Sequence, residues 1–175
     1  RLVLEAICKG SGKKVHIVEQ IYTTHNYIDF SMKMMRKGAV AAPAGRKLVI
    51  PFNMRDGLII AHGKGNEDWN QSAPHGAGRL LSRADAKELI DLEEFRESMK
   101  GIYSTSVGTG TIDESPMAYK DPKEILRLIE DTVEMEYFIR PVINLKATNS
   151  YDSCVEIDVN EETGELTLEE ATNIL

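Results

Sequence analysis

The residues best suited to chemistry lie in one short stretch, Pro74-His75-Gly76-Ala77-Gly78-Arg79. Imidazole titrates near physiological pH, and its neutral form can attack phosphorus covalently. The glycines after His75 lack Cβ atoms, so the backbone there can come close to a ligand. If a helix begins within 78–81, its free N–H groups would favour an anion beside the histidine. The stretch therefore predicts a phosphate site with a nucleophilic nitrogen next to it.

The same spacing has a second interpretation, in which His75 is a hydrogen-bonding loop residue without chemistry. A histidine followed by glycine occurs in many ordinary loops, so spacing alone leaves both interpretations open. The other glycine-rich stretch, Gly63-Lys64-Gly65-Asn66, matches neither the P-loop nor the dinucleotide-binding fingerprint. No standard nucleotide-binding fold is therefore predicted.

The composition is that of an ordinary globular protein, with 42% hydrophobic and 28% charged residues among 175. The formal net charge of −7 is unevenly distributed, because residues 147–175 contain eight acidic residues and no Lys or Arg. Residues 1–146 therefore carry a net charge of +1, with basic clusters such as Arg36-Lys37 that could contact phosphates. An acidic total consequently does not exclude a nucleic-acid partner.

Membrane and redox functions find no support in the sequence. No apolar run approaches the roughly 20 residues that a membrane helix requires, and no signal peptide opens the chain. Cys8 and Cys154 match no metal or redox spacing, so free thiols in a reducing, cytoplasmic compartment are expected. The chain opens without Met in what resembles the middle of a helix, and we expect it to be the C-terminal part of a longer protein.

Local signals predict the elements that would carry these residues. Ser82, Asp91 and Asp121 are predicted N-caps of three helices, and another helix is predicted to end at Gly10-Ser11-Gly12. Apolar or β-branched runs predict strands at 15–22, 47–51, 58–63, 102–107, 135–146 and 155–159. Together they predict an α+β domain with mixed or antiparallel sheets and flanking helices.

Beyond these arguments, the chain resembles the RtcB-type RNA-splicing ligases, a family of 3′-phosphate/5′-hydroxyl nucleic acid ligases. His75-Gly-Ala-Gly-Arg79, followed by Ser82-Arg83, is similar to the family signature. Further matches come in the family's order and at roughly its spacings: His25-Asn26, Arg36-Lys37-Gly38-Ala39, Pro51 with Met54, Pro116-Met-Ala-Tyr-Lys120, and Arg140-Pro141 with Lys146. The resemblance covers about residues 15–146. It implies an RtcB-like fold with 1–146 as the C-terminal part of the ligase domain, and leaves 147–175 as an atypical acidic tail.

This resemblance implies a GTP- and Mn²⁺-dependent ligase that joins RNA 3′-phosphate or 2′,3′-cyclic phosphate ends to 5′-hydroxyl ends, in RNA splicing or repair. His75 would be the nucleophile that carries GMP, and His25 matches the family's metal-binding histidine. The family's guanylate-binding positions fall on Asn26, Pro51, Phe52, Asn53, Met54, Leu58, Gly76, Ala77, Gly78, Tyr119 and Lys146. Of these, Tyr119 matches the position that stacks on guanine.

Several positions depart from the family pattern. The usual Pro-Gly-Ser-Met loop is Pro51-Phe52-Asn53-Met54 here, and a guanylate-binding serine falls on Leu58. The segment between His25 and Pro51 is short, as in a compact bacterial branch of the family. The family's other manganese ligands, an Asp, a Cys and two His, belong to an N-terminal half. Two ions are therefore expected only in a longer protein, and the isolated chain is expected to be inactive.

Two alternatives remain at this stage. The changes at Phe52 and Leu58 suit a non-catalytic nucleotide- or RNA-binding module derived from such a ligase. A phosphohydrolase acting through a phospho-histidine would use the same His75. The ligase interpretation implies RNA ends and GTP as partners, without a membrane, and the sequence does not fix the oligomeric state.

Overall fold

The computed structural model describes residues 2–146, 156–159 and 166–169. Within them the helices are α1 (Leu2–Ser11), α2 (Arg83–Leu89), α3 (Leu92–Ser98) and α4 (Pro122–Leu128). The strands are β1 (Asn26–Asp29), β2 (Met34–Lys37), β3 (Ala39–Ala41), β4 (Lys47–Asn53), β5 (Gly57–Gly63), β6 (Ser72–Pro74), β7 (Val133–Ile139), β8 (Glu156–Val159) and β9 (Leu166–Glu169). Short 3₁₀ helices occupy Glu67–Trp69, Thr109–Glu114 and Pro116–Ala118.

All named strands pair antiparallel, in small sheets ordered β1-β2, β3-β6, β4-β5-β7 and β8-β9. The three-stranded sheet forms because β4 and β5 alternate between buried and less buried residues. Together with the helices, these sheets confirm the predicted α+β class. No helix in the described part of the chain is long and apolar enough to cross a membrane.

Two hydrophobic clusters stabilise the fold. The first, which we call the sheet core, packs β4, β5 and α4 together and reaches β3 and β6; it contains Val40, Ala42, Leu48, Ile50, Phe52, Ile59, Ala61, Ala73, Ala77, Ile125, Ile129 and Val133. The second, the helical core, contains Met54, Phe95, Met99 and Ile112. Phe52 and Met54 belong to different clusters, so the end of β4 and the turn after it connect the two.

The predicted helix starts are confirmed. The side chain of Ser82 accepts a hydrogen bond from Asp85 N, and that of Asp91 accepts from the backbone of Glu93 and Glu94. Asp121 accepts from the backbone of Lys123, with Pro122 at the first helical position. Each of these caps satisfies N–H groups that the helix itself leaves without partners.

Several element predictions were wrong. Residues 15–22 are β-rich but form no strand, because no strand among the described residues pairs with their backbone. Residues 102–107 contribute only a single bridge, from Tyr103 to Ile143. Strand β4 continues past Pro51 because it is an edge strand, where a missing N–H is tolerated. The strand predicted at 135–146 ends at Ile139, just before Pro141. The strand predicted at 155–159 is confirmed over 156–159, and residue 155 lies outside the described residues.

Candidate functional site

Gly38 is the junction on which the site is built. It lies between β2 and β3, and the pairing of Ala39 with Pro74 places it opposite His75 in the next register position. The pairing of Asn26 with Lys37 likewise places it opposite His25. Gly38 has φ +68°, a left-handed conformation that lets the chain turn from one ladder into the other. The two histidines therefore meet because each is the register neighbour of one glycine.

The imidazole rings of His25 and His75 stack, with centroids 4.6 Å apart and planes inclined by 11°. His75 Nδ1 lies 2.7 Å from the carbonyl oxygen of Gly38. A carbonyl oxygen can only accept, so Nδ1 carries the hydrogen. In the neutral ring the unprotonated nitrogen is consequently Nε2, and the side chain is exposed. This is the tautomer that a nucleophile at Nε2 requires.

Asn26 fixes the other side of Gly38. Its side-chain oxygen accepts a hydrogen bond of 3.1 Å from the backbone N–H of Gly38. Gly38 thus receives one hydrogen bond from His75 and donates one to Asn26. The orientation of the His75 ring therefore depends on the side-chain amide of Asn26, which acts through Gly38.

The glycine loop after His75 lies against the end of β4. Ala77 donates its backbone N–H to the carbonyl oxygen of Pro51 at 3.2 Å. A Cβ atom on Gly76 would lie 3.0 Å from the same oxygen, so a glycine permits this close approach. The N–H groups of Gly76 and Gly78 make no hydrogen bond to another described residue. They are the donors in the loop that a phosphate could use, whereas the N–H of Ala77 is already committed.

No helix begins at 78–81, so the predicted anion site at a helix terminus is wrong. The chain instead pairs with the 118–120 segment, because Gly78 and Leu80 bond to that segment rather than to the next turn of a helix. Gly78 accepts from Lys120 N at 3.1 Å, and Leu80 N donates to Ala118 O at 2.9 Å. Helix α2 begins only at Arg83. This pairing brings Arg79 next to Tyr119.

A charged network surrounds the carboxylate of Glu114, which is only 14% exposed. Arg79 donates to one of its oxygens at 2.7 Å and Lys146 Nζ donates to the other at 2.9 Å. Tyr119 OH also donates to it, at 2.6 Å. The Arg79 guanidinium lies 4.9 Å from the centroid of the Tyr119 ring, in cation–π contact. Arg83 completes the network through an ion pair with buried Asp113 at 2.7 Å.

The network perturbs two of its acids. Burial raises the pKa of Glu114, but the hydrogen bonds from Tyr119 and Lys146 outweigh it, so the pKa lies below its usual range. Burial, reinforced by the hydrogen bond to Glu114, raises the pKa of Tyr119 to about 12. Glu114 is therefore charged and Tyr119 neutral at physiological pH.

The position of Lys146 is fixed through its backbone. The hydroxyl of Ser106 donates to Lys146 O at 2.9 Å and accepts from Lys146 N at 3.0 Å. Ser106 is buried and its own carbonyl accepts a hydrogen bond from Thr111. The lysine predicted from the family pattern is thus attached to the same 3₁₀ helix that carries Glu114.

A model of the family described as tRNA-splicing ligase RtcB matches residues 1–147. The chain belongs to this family. The RNA-splicing ligase RtcB of Escherichia coli strain K12 is 37% identical over 134 residues, which are 77% of this chain and 30% of that protein. The tRNA-splicing ligase RtcB of Nanoarchaeum equitans is 34% identical over 92 residues, 50% of this chain and 19% of that protein. The chain therefore spans less than a third of the length of these RtcB relatives.

The residues of the 51–54 loop and Leu58, which include the departures from the RtcB pattern, have structural roles here. The Phe52 side chain is 3% exposed in the sheet core and stacks on Phe138, so it offers a ligand only its backbone. Met54 is buried in the helical core. The side-chain oxygen of Asn53 accepts from Arg55 N and Asp56 N, which closes the β4–β5 turn. Leu58 pairs with Pro51 within the sheet. The substitutions in the RtcB loop thus stabilise a hairpin.

Sequence reasoning missed three residues of this RtcB-family site. The sequence signals Gly38 only as part of a motif that matches the family. Its place opposite both histidines depends on the register of strands that are distant in the sequence. Asp113 and Glu114 resembled ordinary loop acids. Arg36 was considered for phosphate contact, but it is buried and pairs with Asp29 at 3.5 Å and with Ser72. The pairing of Arg79 and Lys146 with one carboxylate carries no local sequence signal.

The family's metal site is not assembled by these residues alone. The described part of the chain contains no group of three His, Cys, Asp or Glu side chains that could hold a metal ion. His25 offers one imidazole nitrogen, and imidazole suits manganese or zinc. His62 does not join it, since its Nε2 lies 2.9 Å from Glu136 in the sheet.

Proposed function

We propose that this chain is the guanylate-carrying part of a GTP-dependent RNA ligase that joins 3′-phosphate or 2′,3′-cyclic phosphate ends to 5′-hydroxyl ends. The observation that carries the proposal is the hydrogen bond from His75 Nδ1 to Gly38 O, which leaves Nε2 unprotonated and exposed. The names of the relatives, RNA- and tRNA-splicing ligases, support this reaction class.

In the first step, the lone pair of His75 Nε2 attacks the α-phosphorus of GTP. A P–N bond forms, the bond from the α-phosphorus to the bridging oxygen breaks, and pyrophosphate leaves with the electron pair. The imidazole gains positive charge and keeps its Nδ1 hydrogen, which points at the Gly38 carbonyl. That oxygen therefore stabilises the charge as it develops.

In the following steps, the RNA 3′-phosphate takes GMP from His75, and the 5′-hydroxyl then displaces GMP from the activated end. A cyclic phosphate would first be opened by water. Arg83 and Lys146, with 63% and 40% of their side chains exposed, can turn toward phosphate oxygens. Arg79 is less exposed and bonded to Asp113 O and Glu114, so its role is to position the loop.

A manganese ion would fit this proposal only if residues outside the described ones supplied its other ligands. His25 would supply one nitrogen, and a bound divalent ion would neutralise phosphate charge. The 4.6 Å ring stack keeps His25 beside the nucleophile. The chain's own contribution to the reaction is thus the nucleophile, its orientation and the cations around Glu114.

Intact-mass spectrometry after incubation with GTP and Mn²⁺ tests the proposal, on the full-length gene product and on this chain. We expect a GMP-sized gain in the full-length product, and not in the isolated chain, that His75→Ala abolishes and that is labile to acid, as a P–N bond is. His62→Ala is the matched control, because His62 is a half-buried histidine that contacts Glu136 rather than Gly38. Bound GTP without an adduct in the full-length product would contradict the ligase and favour a nucleotide-binding module.

That module is the second candidate, and the turn at the end of β4 motivates it. Phe52 is buried and the side chain of Asn53 is committed to the turn, so this loop offers few side-chain contacts to guanylate. The module and the ligase predict the same binding but differ in the adduct. The intact, exposed His75 favours the ligase.

A further inference from the structure

A cleft of about 1050 Å³ lies beside the 118–120 segment and shares Tyr119 with the charged network. We call it the basic cleft. Its lining contains the basic side chains of Arg55, Lys100, Lys120, Lys123 and Arg140, against two acidic ones, Asp56 and Asp121. This volume is at the upper end of the range for small-molecule sites, so the cleft can hold more than one small ligand group.

Three of these cations are available to a ligand. Arg55 is paired with Asp56 at 2.8 Å, and Lys100 is paired with Glu97. In contrast, the exposed side chains of Lys120, Lys123 and Arg140 form no ion pair with any described residue. Asp121, the remaining acid, accepts the backbone hydrogen bond that caps α4. The cleft therefore presents uncompensated positive charge.

The surface between the cations is apolar and partly aromatic. Phe138 is 40% exposed in the cleft, and its ring is supported from behind by Phe52, with centroids 5.9 Å apart. Leu80 and Tyr119 extend this surface. Exposed aromatic rings flanked by cations fit unpaired bases and phosphates together. A double helix would bring phosphates but no exposed base faces, so the pattern favours a single strand.

The basic cleft is continuous with the loop that carries the nucleophile. Lys120 N donates to Gly78 O, and the side-chain carbons of Lys120 lie within about 4.0 Å of where a Cβ atom on Gly78 would stand. Gly78 follows His75 by three residues. A nucleic-acid strand in the cleft would therefore lie next to the loop that contains His75.

We propose that the basic cleft binds the single-stranded RNA arm adjoining the end that is joined, with Lys120, Lys123 and Arg140 on phosphates and Phe138 under a base. The identification of the ligand as RNA rests on the proposed function. The position of the strand rests on charge, exposed rings and continuity with the His75 loop.

Fluorescence anisotropy with a labelled oligouridylate of about twelve nucleotides tests the inference. The triple variant Lys120→Glu, Lys123→Glu, Arg140→Glu is compared with a control of equal charge change, Arg46→Glu, Lys87→Glu, Arg127→Glu, at exposed positions outside the cleft. We expect the cleft variant to bind at least about tenfold more weakly at about 100 mM salt, and the control to change less than about threefold. Circular dichroism and a milder variant with Gln at the three cleft positions check folding.

Two further measurements identify the mode of binding. Losing three phosphate contacts would lower the salt slope by about two, so wild-type affinity should decrease about twentyfold more than that of the Gln variant between about 50 and 200 mM salt. Phe138→Leu should weaken binding without changing the salt slope, because stacking is not electrostatic.

Equal losses in the two triple variants would overturn the inference, as would equal affinity for a duplex of the same length. Displacement of the RNA by polyglutamate at equal charge concentration would indicate an acidic protein instead and also overturn it. The His75→Ala variant separates the two proposals, because it should lose the GMP adduct and keep RNA affinity. An adduct without cleft-dependent binding overturns this inference alone, and cleft-dependent binding without an adduct overturns the ligase alone.

Discussion

His75 is oriented by a residue that it faces across a β ladder. The carbonyl of Gly38 accepts its Nδ1 hydrogen, and Asn26 holds the amide of Gly38 from the neighbouring ladder. The family pattern assigns Asn26 to guanylate binding, and that remains a prediction. The geometry gives Asn26 an independent role as a residue that positions the His75 ring through Gly38.

Asn26→Ala should therefore disturb the tautomer of His75 even without nucleotide. With its acceptor gone, Gly38 is no longer fixed, and the preference for the Nδ1–H form should weaken by roughly the contribution of one hydrogen bond, about 1 kcal/mol. Long-range ¹⁵N–¹H spectra of the imidazole report the two tautomers directly. Asn26→Asp is the control, since it keeps an acceptor oxygen. Unchanged spectra in Asn26→Ala would show that Gly38 needs no such support.

Tyr119 should ionise late, with a pKa of about 12. Burial and the bond to Glu114 favour the neutral phenol, so the pKa is raised above its ordinary value. The corresponding stability is fully present below the unfolded pKa of about 10 and is lost as pH rises through about 12. Ultraviolet titration should show a late step that Tyr119→Phe removes. Tyr22→Phe, at an exposed position, is the control and should leave the late step in place.

At the scale of elements, Glu114 connects three segments, namely the loop with Arg79, the 118–120 segment with Tyr119, and the chain end at Lys146. Glu114→Gln should destabilise the protein by about 1–3 kcal/mol near neutral pH, because charged hydrogen bonds are replaced by neutral ones. The pKa of Glu114 is lowered by folding, so its contribution is present above the unfolded value and lost as pH falls through the folded value.

Denaturant unfolding of wild type and Glu114→Gln from about pH 7 to pH 3 measures this dependence. The difference in unfolding free energy should shrink as the pH falls. Glu93→Gln is the matched control, because Glu93 forms an exposed ion pair with Arg96 that is expected to contribute less than about 1 kcal/mol. A difference that stays constant with pH would show that the charge of Glu114 does not hold the segments together.

The elements also show what a sequence can and cannot predict. The helices after Ser82, Asp91 and Asp121 were predicted because a cap is a local interaction, contained within four residues. The strand predicted at 15–22 failed because β-propensity describes a residue's fit to a sheet, and in the part of the chain that the structure describes no strand pairs with this segment. Strand pairing is set by residues far apart in the chain.

The same distinction separates the parts of the site. His75 and the loop glycines were found because their chemistry is readable from residue types. Gly38 and Glu114 were not, because one acts through the register of two ladders and the other through contacts 32 and 35 residues away along the chain. The resemblance to a family supplied Tyr119 and Lys146 but not the carboxylate that joins them.

For the whole molecule, the two hydrophobic cores support different halves of the site. The sheet core includes Val40 and Ala73, whose strands place Gly38 opposite His75. The helical core includes Ile112, in the 3₁₀ helix that carries Glu114. The turn after β4 connects the cores, and Pro51 at the end of β4 also accepts the hydrogen bond from Ala77. We therefore expect the His75 ring and the charged network to respond separately to damage in the core.

Phe95→Ala and Ile59→Ala test this expectation, since both side chains are fully buried, one in each core. Each should cost about 2–5 kcal/mol through lost burial and the cavity left behind. Phe95→Ala should also speed amide exchange in 109–119 and lower the pKa of Tyr119, while the His75 tautomer is kept. Ile59→Ala should instead disturb the tautomer. If both variants loosened both halves equally, the two cores would form one cooperative unit, and the orientation of His75 would depend on the helical core as strongly as the charged network does.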